Sequence, residues 1–130
     1  MIAWYNDWIK DSNKFFAYIY SNKETEPIGE VYYYPENGTH YVGILIKEGY
    51  RGKGYSYEVL KELEKIAFEK NNINELVDTV PENRISAIKA LKKAGFIDAE
   101  KETTIKIFNT DTVIKQLRIT KEEFKQNKKD

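Results

Sequence analysis

The 130-residue chain has no cysteine and a single histidine, His40. The first absence removes disulfides, thiolate nucleophiles and thiolate zinc sites together. The second makes a histidine-rich metal centre untenable, and no metal is expected. No apolar run approaches the ~20 residues that cross a bilayer, and the N-terminus has no basic segment followed by an apolar one. Neither charge dominates, with 21 basic and 21 acidic residues. No global field therefore draws the molecule to nucleic acid or to anionic lipid. Neither nucleic acid nor membrane is expected as a partner, and the cytoplasm is the expected compartment. Tryptophan and tyrosine are missing from the later part of the chain: both tryptophans and all ten tyrosines lie in the first 57 residues. Strand propensity accounts for such a bias on half-buried sheet faces, and so does an aromatic-walled pocket built from the N-terminal half.

What is present reads as one α/β (α+β) domain over residues 1–125 with a polar tail, 126–130, expected to be disordered. Trp4, Trp8 and Ile9 sit at helical spacing within 3–10. Lys14 to Tyr20 and Pro27 to Tyr34 read as strands, and Asn37-Gly38 is a strong hairpin signal because both residues tolerate positive φ. His40 to Lys47 returns as a near-continuous apolar strand, which predicts a central place covered on both faces. From Tyr55 to Lys70 the period becomes helical, with Val59, Leu60, Leu63, Ile66 and Ala67 on one face. Asn71-Asn72 ends that helix, and Ile73 to Val80 is a strand, expected to lie parallel to the one before the helix. A second helix is predicted over Arg84 to Ala94, with Ile85, Ile88 and Leu91 inward and Gly95 as its stop. Phe96 to Phe108 and Thr112 to Ile119 follow as strands around Asn109-Thr110-Asp111. Thr120 and Glu123 then form a capping box for a last short helix.

The chemistry concentrates between Ile44 and Ser56, where a strand enters a helix through a Gly-rich basic turn. Helix N-terminal N–H groups lack intrahelical partners and carry partial positive charge. Glycines let the backbone approach a phosphate, and Arg51 and Lys53 add charge. An exposed turn with glycines for geometry and cations for solubility is the bland alternative. The strand before the turn and the amphipathic helix after it favour phosphate binding. A Walker loop requires Gly-x4-Gly-Lys-Ser/Thr, which is absent. A dinucleotide fingerprint requires a third glycine where Tyr57 stands, and it belongs after a first parallel strand; only Glu75 falls near the spacing of its ribose-binding acid.

Arg51-Gly52-Lys53-Gly54-Tyr55-Ser56 resembles the Arg/Gln-x-x-Gly-x-Gly/Ala signature of the GNAT superfamily of acyl-CoA-dependent N-acyltransferases, with serine in the last place. Asn83 to Phe96 is similar to the family's second helix with its terminal Gly-Phe. The resemblance spans about Phe15 to Ile119. It implies a mixed, mostly antiparallel sheet with flanking helices, and an N-acetyltransferase moving acetyl from acetyl-CoA to a primary amine of a small molecule or protein. An acyl-CoA-binding module of weak or no activity is the alternative.

The resemblance further assigns main-chain bonds to the pantetheine arm at Ile44, Leu45 and Ile46. It places the pyrophosphate on the N–H groups of Gly52 to Ser56, with Tyr55 among them, puts Arg51 and Lys53 near the phosphates, and brings Asn83 to the cofactor arm. A free N–H near Ile46 would stabilise the oxyanion. For the general base it points to His40, where several relatives carry a glutamate, against the plainer reading of a histidine beside a hairpin turn; Glu30 on the adjacent strand is the second candidate. Relatives protonate the leaving thiolate with a tyrosine where this chain has Leu91; a thiol of pKa ~8.5 can leave unaided. Only 13 residues precede the first strand, where the resemblance implies a further strand and about two helices. A minimal or truncated form, or a pocket completed by a partner subunit, is therefore expected, and an exposed sheet edge favours a homodimer.

Overall fold

A computed structural model of the chain describes residues 13–21 and 25–129. The helix expected over 3–10 lies outside them. Strand β1 (Phe15–Ile19) opens an antiparallel meander with β2 (Gly29–Glu36) and β3 (Thr39–Ile46). Asn37 (φ 52°) and Gly38 (φ 82°) make the β2–β3 turn, both in the left-handed region that a two-residue hairpin needs. A 3₁₀ turn over Glu48–Tyr50 leads into helix α1 (Tyr55–Lys65), whose last stretch, Ile66–Lys70, widens to π-helical pairing. Its final bond runs from the Asn71 N–H to the Ile66 carbonyl, five residues back.

Strand β4 (Glu75–Pro81) follows, then helix α2 (Ile85–Lys93), the long hairpin of β5 (Ile97–Ile107) and β6 (Thr110–Thr120), and helix α3 (Lys121–Lys129). The six strands form one sheet in the order β1-β2-β3-β4-β6-β5, antiparallel at every contact except β3–β4. This is the mixed, mostly antiparallel sheet expected, and it excludes the doubly wound parallel sheet of a dinucleotide domain.

Helix boundaries follow local chemistry. Gly95 (φ 106°) closes α2 in a Schellman motif, with Phe96 N–H on the Leu91 carbonyl and Gly95 N–H on that of Lys92, both at 3.0 Å. The capping box forms as read: Glu123 N–H donates to Thr120 Oγ1 at 3.1 Å, and Thr120 N–H to Glu123 Oε1 at 2.9 Å. Helix α3 then continues to Lys129, so most of the tail expected to be disordered is helical. Phe124 anchors it against Phe68 of the α1 segment, with ring centroids 5.2 Å apart. The β5–β6 turn is tighter than expected. Phe108 and Asn109 form it, both at positive φ, and β6 starts two residues earlier, at Thr110.

The core joins Val59, Leu60, Leu63 and Phe68 of the α1 segment to Val42, Ile46, Leu76, Leu117 and Ile119 of the sheet, with Leu91 from α2. Ile85, expected inward, is exposed at the first position of α2. The other face of β1–β3 is aromatic: Phe16, Tyr32, Tyr34 and Tyr41 follow one another at ring spacings of 6.0–6.3 Å. Gly43 leaves the space that the Tyr32 ring fills, since a Cβ there would overlap it.

Candidate active site

Strands β3 and β4 pair at a single position, Tyr41 with Val77, and then diverge. β3 remains bonded to β2 along its whole length, and β4 to β6. A gap therefore opens inside an otherwise continuous sheet. It forms a cleft of about 650 Å³, lined by Val42–Ile46 on one wall and Asp78–Pro81 on the other. Tyr32 and Tyr34 reach it from the aromatic face, and Leu60 and Leu91 from the core side, so the opening passes through the sheet. The near-continuous apolar run of β3 predicted cover on both faces. The strand is central, but the divergence leaves Leu45 53% exposed.

The main-chain directions of β3 follow from one bond. Lys47 N–H donates to the Ile28 carbonyl at 2.8 Å, so odd-numbered residues of β3 turn their polar groups to β2. Ile44 and Ile46 turn theirs to the cleft. Main-chain bonds to a ligand were expected of three residues; the alternation leaves Ile44 and Ile46 and removes Leu45, which lines the cleft by its side chain. Arg51 Nε already donates to the Ile46 carbonyl at 2.8 Å, pinning the Gly-rich turn to the strand end. The Ile44 pair and the Ile46 N–H remain.

Past Arg51 the backbone turns through Gly52 (φ 75°) and Gly54 (φ 85°), and a Cβ on either would meet nothing within 4 Å. Gly54 is the N-cap of α1, and among the described residues no side chain caps that helix end. The first N–H groups of an eleven-residue helix therefore face open space bordered by Arg51, Gly52, Gly54, Tyr55 and Ser56. This is the arrangement that receives an anionic group. Three further cations from α2 and its approach, Arg84, Lys89 and Lys93, line the same cleft. Lys93 Nζ lies 4.4 Å from the centre of the Tyr57 ring. The i, i+4 spacing of Lys89 and Lys93 was the available sequence signal for this second cationic wall.

Several expected residues are elsewhere. Lys53 turns toward the Tyr50 ring, 5.8 Å from its centre, and does not line the cleft. Asn83 is exposed in the turn before α2, and its neighbour Arg84 occupies the cleft wall instead. His40 is on the core side, edge-on to Tyr33 at 6.0 Å, and is not among the lining residues. Its Nε2 is buried without a partner among the described residues, and burial lowers the imidazole pKa. Glu30 borders a shallower hollow of about 270 Å³ with Tyr18, Leu45 and Arg51. The structure thus separates the two expected bases from each other. Among the described residues no group of three or more His, Cys, Asp and Glu side chains is arranged to hold a metal.

One carboxylate absent from the expectations does line the cleft. Asp78 is the first residue of β4 beyond the pairing with β3. Burial pushes its carboxyl up to about 7, against the Thr79 N–H and the Arg84 charge, which both favour the ionised form. Burial foremost, then Glu36 and neighbouring groups including Asp78, also raises the Tyr34 phenol.

A sheet that parts beside a glycine-rich helix start defines a class of acyl-CoA-dependent transferases, and the comparisons agree. The profile of the Acetyltransferase (GNAT) family matches residues 1–96, and the chain belongs to that family. Among solved structures it is similar to a spermidine/spermine N-acetyltransferase from Vibrio cholerae (TM-score 0.78, 16% identity, 90% of this chain and 71% of that one). It is also similar to a dodecameric spermidine N-acetyltransferase from the same organism (0.77, 17%, 88% and 68%) and to a GNAT-family acetyltransferase from Bacillus anthracis (0.74, 18%, 82% and 66%). No curated protein matches the chain by sequence. At such identities the structural likeness establishes the fold, and the family match carries the activity. The protein is an N-acetyltransferase that moves an acetyl group to an amine, in a family whose co-substrate is acetyl-CoA.

Proposed function

We propose that the cleft binds acetyl-CoA along the free edge of β3, with its pyrophosphate on the start of α1, and acetylates a small cationic amine admitted from the aromatic face. The observation that carries this reading is the continuity of one ligand path. Main-chain groups of Ile44 and Ile46 that β4 leaves unpaired among the described residues lead to a helix N-terminus without a side-chain cap and with two open glycines. Arg51, Arg84, Lys89 and Lys93 surround that end with positive charge. Acetyl-CoA, when bound, supplies the acyl group as a thioester. The Ile44 and Ile46 N–H groups are donors held by the sheet, suited to a carbonyl oxygen gaining charge. Lys53 and Asn83 are left out of the proposed site.

The acceptor class follows from the opposite mouth. Tyr32 and Tyr34 present ring faces and hydroxyls there, with Glu36 beside Tyr34 and Asp78 behind. Aromatic faces and carboxylates together attract a cation. Two of the similar structures are enzymes named for spermidine, which supports a polyamine-like acceptor over a protein N-terminus. Cytoplasmic location, where acetyl-CoA is supplied, and self-association belong to the same reading.

A thermal-shift panel of CoA, acetyl-CoA, NAD and ATP tests it. Ligand at ~100 times its Kd should add roughly 2.7 kcal/mol for CoA and acetyl-CoA, and far less for the others. Thiol release should then rise with polyamines over neutral-tailed amines. A larger shift with NAD would end the reading.

A further inference from the structure

Among the described residues that line the cleft there is one carboxylate, Asp78, and no histidine; the other polar side chains are hydroxyls, guanidinium groups and ammonium groups. No other lining side chain can accept a proton near neutral pH. The position is also fixed. The main chain of Asp78 is paired through β4 to Leu117 of β6, and the partner strand on its other side departs one residue earlier. The carboxyl therefore stands at the vertex of the gap, between the proposed acceptor mouth at Tyr34 and the free edge of β3.

We propose that Asp78 accepts the proton of the acceptor amine, a role that rests on the transferase reading above. The neutral nitrogen forms its bond to the acetyl carbon, the carbon–sulfur bond breaks with its electron pair leaving on sulfur, and one N–H proton passes to the Asp78 carboxylate. That proton later leaves to the thiolate or to water. The surroundings suit a group that must release the proton again. Arg84, at the start of α2, and the Thr79 N–H favour the charged form, while burial opposes it and prevails. The Tyr34 hydroxyl of β2 stands nearby, with the Tyr41 ring of β3 beside it. Lys115 of β6 is already engaged by Asp98 and Glu102, each at 3.6 Å.

Asp78→Asn keeps the shape and removes the acceptor. Turnover should fall by about 10²–10⁴, the acetyl-CoA thermal shift should persist, and Asp78→Glu should recover part of the rate. The wild-type rate should climb with pH through an apparent pKa near 7, and the asparagine variant should lose that limb while His40→Ala and Glu30→Gln retain it. Carboxyl-¹³C NMR of the free protein gives a readout independent of activity: the resonance missing from Asp78→Asn should titrate near 7. A resonance titrating near the ordinary ~3.9, a variant keeping both rate and limb, or a limb lost with His40 instead would each overturn the assignment. A wild-type protein unmoved by acetyl-CoA would defeat the transferase reading separately, since the NMR titration needs no ligand.

Discussion

Glu64 stands on the buried side of α1, with no hydrogen-bond partner for either carboxylate oxygen among the described residues. Lys61 Nζ lies 3.7 Å from one of them, too far to satisfy it. Burial pushes the carboxyl up to about 8 from an ordinary 4.5, outweighing the attraction of Lys61. Between those values the folded chain keeps a proton that the unfolded chain has released, so the stability contributed by neutral Glu64 is full below pH 4.5 and is lost as pH rises to 8. Asp78 acts in the same direction between 3.8 and about 7. Glu64→Gln should match the wild type in urea melts at pH 5 and exceed it at pH 8, by an amount on the order of several kcal/mol. An equal difference at both pH values would mean that Glu64 does not titrate in the fold. In sequence, Glu64 sits one position from the apolar stripe of α1. Its burial comes from how the helix rolls onto the sheet, which helical periodicity alone does not fix.

At the scale of the element, the glycine-rich turn from β3 to α1, proposed above as the phosphate cradle, was legible because its signals are local. Positive φ at Gly52 and Gly54, an uncapped helix start and adjacent cations all arise within a few residues. Gly54→Val tests the element directly. No neighbour lies within 4 Å to be struck, but a β-branched residue at φ 85° is strained, costing roughly 1–3 kcal/mol. The expected outcome is a folded protein of that lower stability with no thermal response to CoA. Retained CoA response would place the phosphate site elsewhere. The same element shows where local reading ends. Lys53 carries the right charge in the right motif, yet its side chain goes to Tyr50. Asn83 and Arg84 are adjacent in sequence, and only the start of α2 decides which of them meets the cleft.

Across the whole molecule, cohesion is uneven. The pairing of β6 with β4 ends at Ile114, opposite Pro81, with one further bond from the Glu82 N–H to the Val113 carbonyl at 2.8 Å, so Thr110–Thr112 pair with β5 alone. Ile105, Ile107 and Phe108 are exposed on this projecting ribbon, Phe108 at 97%. A two-stranded ribbon without a covered face is marginal by itself. Amide exchange should therefore be fastest across its tip and slowest at Leu76, Leu117 and Ile119, which are buried in the centre of the sheet. Tip protection equal to that of the centre, falling away on dilution, would reveal a second copy packed on the ribbon and support self-association.

The sequence by itself determined the order of elements, the β2–β3 hairpin, the capping of α2 and α3, the glycine-rich turn into α1 and, through the motif, the family. Each rests on propensity, periodicity or backbone freedom acting over a few neighbouring residues. Tertiary structure alone decided that β3 and β4 part after one pairing, that Leu45 faces away from ligand bonding, that His40 turns to the core and that Asp78 comes to the vertex. Those outcomes depend on which strand keeps which partner. That competition is settled by packing of α1 and α2 against a sheet whose strands lie tens of residues apart in the chain.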